Sequence, residues 1–222
     1  MTAASEVWPR ELPMFPLGSV ALPGCGLPLH VFEPRYRALV MTCLTSDRLF
    51  GSVLIERGSE VGGGDQRVQV GTLLQIIDTQ ESPDGRWSVL AAGVERLQVV
   101  EWLADDPFPR CIADRLPDGP QTPETDRLRD LAVDLIDQLV RRHFAGRGRP
   151  PELPHLDEDP SLASFQLLSL SPLGPLDQLK ALQMPDPSSR LRFLVELLES
   201  EILVFDALSG GDGNQPSDGS SN

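Results

Sequence analysis

The side chains best placed to do chemistry are three histidines, three cysteines, a single lysine and one run of acids. His30, His143 and His155 are far apart, and none belongs to an H-E-x-x-H pair that could hold zinc. Cys25, Cys43 and Cys111 are odd in number and contain no C-x-x-C spacing. They are expected to be reduced, mostly buried thiols rather than a zinc site or a disulfide framework. A Ser–Lys hydrolase needs a lysine beside its nucleophile, but Lys180 falls on an amphipathic helical pattern and reads as a solvated side chain. No G-x-S-x-G elbow and no G-x-x-x-x-G-K-[ST] phosphate loop occurs. Gly62-Gly63-Gly64 leads into strand-like residues, not into a helix whose amides could cradle an anion, so it reads as a flexible loop. Asp157-Glu158-Asp159 stands directly before Pro160. Carboxylates there cap a helix and favour its positive end. No catalytic residue, metal site or cofactor is therefore expected.

The elements that would carry these side chains change character once along the chain. Residues 1–11 read as a flexible leader. Residues 12–118 are mostly strand-like, with apolar runs broken by Pro and Gly. One helix interrupts them. Glu33-Pro34 opens it, since Pro at the first helical position gives up no hydrogen bond. Tyr36, Leu39, Val40, Cys43 and Leu44 follow at helical spacing. Strands are expected at Phe50–Glu56, at 68–80, at 86–94 and at 95–103, with a turn at Ser82-Pro83-Asp84-Gly85. A single helix among consecutive strands points to a mixed or antiparallel barrel-like sheet, not a doubly wound one.

The stretch LPDGPQTPE reads as a linker, and residues 119–208 then turn helical. Leu128, Leu131, Leu135, Leu139 and Val140 form one apolar stripe. Asp159-Pro160 starts a second helix with Leu162, Phe165 and Leu168. A short third helix spans about 176–184, and a long fourth one holds Leu191, Leu194, Val195, Leu198, Ile202 and Phe205. Residues 209–222 read as a disordered tail. The fold class is α+β.

Composition narrows the partners. The net charge is -14, and the acid excess is spread over both halves. Such a surface repels phosphate backbones, so no nucleic acid partner is expected. No apolar run reaches the roughly 20 residues that span a bilayer, and no signal-peptide pattern opens the chain. A cytoplasmic protein without membrane attachment is expected. All basic residues but Lys180 are arginines, a bias expected of a GC-rich bacterial genome.

LPMFPLGSVALPGCGLPLHVFEPRYRALV, residues 12–40, resembles the opening of the Lon substrate-binding domain, which heads the Lon protease and also occurs in cereblon. FGSVLIERGSEVGGG, residues 50–64, is similar to the family's second block. VGTLLQI, residues 70–76, and DGRWSVLAAGVERLQVVE, residues 84–101, are similar to its third. LSLSPLGPLDQLKALQMPDPSSRLRFLVELLESEI, residues 168–202, is similar to its closing helices, with Leu179-Lys180 where the family usually has Lys-Gln.

The resemblance implies a PUA-like pseudo-barrel of six strands followed by a helical bundle. It implies a free-standing, non-catalytic module that recognises unfolded protein segments or a protein partner and is associated with proteolysis. The family's ATPase and peptidase modules and cereblon's zinc cysteines have no counterpart in this sequence. The implied recognition surface is Phe32, Glu33, Arg35 and Val61. Glu33, Pro34, Arg35 and Tyr36 also have an architectural reading as a helix start, with Arg35 pairing a carboxylate across the domain. An RNA-binding PUA-like protein and an unrecognised peptidase are the alternatives. The oligomeric state is left open.

Overall fold

The strand-forming half is built on two long strands, whose Val, Leu and Ile residues alternate between core and surface. The computed structural model describes residues 7–57 and 66–210. Its strands are β1 (Arg10–Pro13), β2 (Gly26–Val31), β3 (Leu49–Arg57), β4 (Gln66–Glu81), β5 (Trp87–Trp102) and β6 (Arg110–Arg115). They form one six-stranded antiparallel sheet in the order β1-β6-β5-β4-β3, with β2 also pairing β5. Beyond β1, Met14 and Leu17 form isolated bridges with Gly51 and Leu54 of β3. The two ends of the strand order thus approach each other without a full ladder between them.

Three details depart from the sequence reading. The first strand begins at Arg10, inside the segment read as a leader. The runs 86–94 and 95–103 form one strand, because Gly93 does not end it. Gly93 is where the 22–25 loop crosses β5: Gly24 N donates to Gly93 O at 3.0 Å, and Gly93 N to Cys25 O at 2.9 Å. A Cβ on Gly93 would lie 2.2 Å from Leu22 O, so only glycine allows that crossing. Finally, β6 is a strand the sequence reading did not single out. It is short, and its burial of Cys111 and Ala113 emerges only between β1 and β5.

The turn at 82–85 forms as expected, with Gly85 N donating to Ser82 O at 2.8 Å and Gly85 at φ +78°. Helix α1 (Pro34–Leu44) buries Tyr36, Leu39, Val40 and Cys43 against the sheet.

Four helices follow: α2 (Thr125–Phe144), α3 (Pro160–Ser169), α4 (Pro175–Leu182) and α5 (Pro187–Gly210). The stripe of α2 is rotated from the expected one. Ala132, Leu135 and Ile136 are buried, while Leu131 lies at its exposed margin. Asp159 caps α3 by accepting from Ser161 N at 2.9 Å. Leu191, Leu194, Val195 and Leu198 of α5 pack with Phe165, Leu167 and Leu168 of α3. Leu22, Val20, Cys25 and Val70 of the strand half join that same cluster. The two halves therefore share a core.

Candidate binding site

Phe32 is the residue between the end of β2 and the N-cap of α1. Its side chain is left in solvent, 55% exposed, because the chain must turn there from strand into helix. Glu33 holds the N-cap position with φ -69° and ψ 138°, but its carboxylate makes no capping bond. It accepts instead from Arg35 Nε at 3.1 Å. Arg35 thus pairs with a carboxylate two residues back in the chain. The guanidinium also lies 4.5 Å from the centroid of the Tyr36 ring. Tyr36 is buried and stacks on Phe15, with ring centroids 4.0 Å apart and 10° between planes. Tyr36 therefore anchors the helix start, with Phe32 exposed in front of it and the side chains of Glu33 and Arg35 only 17% and 19% exposed.

A small cavity of about 140 Å³ opens at this point. Phe15, Leu17 and Tyr36 form its floor, and every residue from Pro28 to Glu33 lines it. The structure thus brings Phe32 and Glu33 together at one cavity, with Arg35 tied to it through its ion pair. Val61 and the Gly62-Gly63-Gly64 run lie outside the described residues.

A larger apolar cavity, about 420 Å³, lies between the C-terminal halves of α2 and α5. Leu139, Val140, Phe144 and Phe205 line it, and Val204 and Leu208 at its mouth are 54% and 76% exposed. Leu139, Val140 and Phe205 belong to the apolar stripes of the two helices in the sequence. The cavity between the two amphipathic helices has no signal in their spacing.

The polar constellation the sequence reading missed joins the two halves. Asp118, in the stretch read as a linker, sits between two buried arginines. Its carboxylate meets Arg96 of β5 at 2.5 Å and Arg190 of α5 at 2.6 Å. Arg96 also donates to Leu182 O, Met184 O and Pro117 O. Arg190 donates to Ser164 Oγ at 2.8 Å and stacks 3.7 Å over Phe165. Burial lowers the pKa of both guanidinium groups, and Asp118 opposes that shift. One clue was available: Arg190, Leu194 and Leu198 recur every four residues on one helix face.

The thiols offer no reactive centre. Cys43 and Cys111 are buried, and burial pushes both up to about 12. Cys25 is half-buried, and burial raises it too. Among the described residues, no group of three or more His, Cys, Asp or Glu side chains could hold a metal ion. Nor is any described helix long and apolar enough to cross a membrane.

Residues 11–200 match the family model described as the ATP-dependent protease La (LON) substrate-binding domain. The chain belongs to that family. It is 27% identical to a LON peptidase N-terminal domain and RING finger protein of Schizosaccharomyces pombe, over 84% of this chain and 44% of that protein. It is 29% identical to Lon protease 2 of Herpetosiphon aurantiacus, over 88% of this chain and 24% of that one. The chain thus spans less than half the length of either relative. Among solved structures, it is similar to a Lon N-terminal domain protein from Xanthomonas campestris, with TM-score 0.61 and 27% identity, covering 84% of this chain and 98% of that one. The N-terminal domain of a Mycobacterium avium complex Lon protease shares the LON-domain fold at TM-score 0.64 and 18% identity, covering 86% of this chain and 98% of that one.

Proposed function

We propose that this LON-domain chain is a non-catalytic recognition module that binds apolar segments of unfolded proteins, in association with proteolysis. The observation that carries this reading is the match of residues 11–200 to a family defined by substrate binding. Geometry beside Phe32 supports the choice of surface. An exposed phenyl ring at Phe32 stands beside a cavity floored by Phe15, Leu17 and Tyr36, with the Glu33–Arg35 pair at its edge. Val61 joins this surface on the strength of its sequence block alone. The net charge of -14 favours basic or neutral segments and opposes RNA. The β half is read, in the same proposal, as a PUA-like pseudo-barrel and the helical half as its bundle. The approach of residues 14–17 to β3 supports the first description.

The test is capture of a permanently unfolded basic chain, such as reduced and alkylated lysozyme. Phe32→Asp places a charge where an apolar contact is needed, and losing the burial of one phenyl ring is worth about 2 kcal/mol. Binding should weaken more than tenfold with the thermal melt unchanged. Equal binding by a folded Phe32→Asp protein removes this surface from the proposal. If wild type captures no unfolded chain at all, the whole reading fails.

A further inference from the structure

Strand β2 lies on one side of β5, and the described residues place no strand on its other side. Its register with β5 determines which backbone groups face outward. Gly93 N donates to Cys25 O, and Leu27, Leu29 and Val31 then stand opposite Ala91, Val89 and Trp87. With an antiparallel period of two, those residues direct their N–H and C=O towards β5. The N–H groups of Gly26 and His30, and the C=O groups of Gly26, Pro28 and His30, point the other way. Among the described residues they have no hydrogen-bond partner. Pro28 occupies an outward position, where its missing N–H costs the sheet nothing. All three outward residues are exposed.

This bare edge runs between two openings. At its Val31 end is the cavity beside Phe32. Both the core-facing residues Leu29 and Val31 and the exposed Pro28 and His30 line that cavity, so it lies along the edge of the strand rather than on one face. At the Gly26 end is a cleft of about 400 Å³, bounded by Cys25, His155, Leu156 and Leu170. Acids flank both ends: Glu33 at the first, Asp157 and Glu158 beyond the second.

We propose that this module takes its substrate as an added β-strand, an extended segment of alternating apolar and basic or neutral residues that pairs antiparallel or parallel along β2. This rests on the reading that the Phe32 surface binds protein segments, and specifies how. A row of outward amides and carbonyls is matched by another extended backbone and by little else. The six residues of β2 span roughly 20 Å, enough for a segment of about the same length. Side chains of the added strand alternate in direction, so one set reaches the cavity floor of Phe15 and Leu17. Such recognition reads backbone first and sequence second, which suits a module that must accept many unfolded chains. Pro28 interrupts the donors and disfavours pairing between two copies along a full ladder.

The experiment uses a fluorescein-labelled heptapeptide alternating valine and lysine, read by anisotropy, with alkylated lysozyme as a second probe. His30→Ala keeps the backbone N–H, whereas His30→Pro removes it and places a ring on the edge. Both variants lose the imidazole that lines the cavity, so they are compared with each other: His30→Pro should bind the heptapeptide at least about tenfold more weakly than His30→Ala. On the wild-type protein, N-methylation of one alternate set of peptide amides should abolish binding, and of the other set leave it intact. That peptide pair decides the matter even if His30→Pro does not fold. Equal binding by both His30 variants, or by both methylated peptides, overturns the proposal. So does lysozyme capture without heptapeptide binding, although the recognition reading then stands. A dimer that His30→Pro dissolves, with no heptapeptide binding by wild type, makes the occupant a second copy and also overturns it. Capture of neither probe ends both.

Discussion

Asp118 carries one negative charge between two buried guanidinium groups, so its removal leaves two cations with no carboxylate between them. Its side chain is 13% exposed, and those of Arg96 and Arg190 are 3% and 0%. Breaking a buried pair from one side costs about 3–5 kcal/mol, because the desolvated partner remains. Asp118→Asn keeps the shape but not the charge, and should lower the melting temperature by roughly 6–20 °C, at about 2–4 °C per kcal/mol. Arg190→Met removes one cation and keeps an apolar side chain over Phe165, so it should cost less than Asp118→Asn. Thermal melts of the two variants check the order. An Asp118→Asn protein as stable as wild type would show that the carbonyl acceptors alone satisfy Arg96. The residue was unreadable in sequence for a plain reason: an acid in a Pro- and Gly-rich stretch looks the same whether it faces water or two arginines. Glu33 and Arg35 show the converse. Their place at a helix start was legible, yet their ion pair with each other was not, since a separation of two residues sets no contact.

At the scale of elements, boundaries marked by local chemistry were the legible ones. Glu33-Pro34 and Asp159-Pro160 each open a helix where expected, since a proline at the first helical position and an acid before it act through neighbouring atoms only. The Asp159 cap gives a direct test. Asp159→Ala removes the acceptor of Ser161 N and should cost about 1 kcal/mol, or roughly 2–4 °C. A change under one degree would mean that Asp157, which accepts from Asp159 N, holds the turn by itself. Elements defined by distant partners were not legible in the same way. Strand β5 continues through Gly93 because Leu22 passes over it, a contact 71 positions away in the chain. Leu131 belongs to the helical pattern of α2, but the packing of α5 chooses the Ala132–Ile136 face instead. The bare edge of β2 depends likewise on which strands stand beside β5, a matter of topology that GLPLHV cannot state.

For the whole molecule, the decisive feature is that one of the core clusters is built from both halves. Leu22, in the strand half, is 4% exposed and packs in a cluster of mostly helical residues, which Val20, Cys25 and Val70 also join. Polar groups cross the same boundary: Arg96 donates to the carbonyls of Leu182 and Met184, and Gly119 N to Pro185 O at 2.7 Å. A chain ending at residue 118 would expose that apolar surface and strip Arg96 of those two acceptors. Its remaining core around Phe15, Tyr36, Phe50 and Leu74 is sound, so strands should still form. Their packing would be loose, because the uncovered face has water where it needs side chains. The 1–118 fragment should therefore aggregate, or show strand-like far-ultraviolet dichroism with a broad, uncooperative melt. Adding a separately produced 119–210 segment should sharpen that melt if the shared cluster re-forms. A sharp, reversible transition for 1–118 alone would mean that the Arg96 contacts and the Leu22 cluster dock two finished domains. The groove beside Phe32, built entirely from residues 15–36, would then survive in isolation and could be assayed there without the helices.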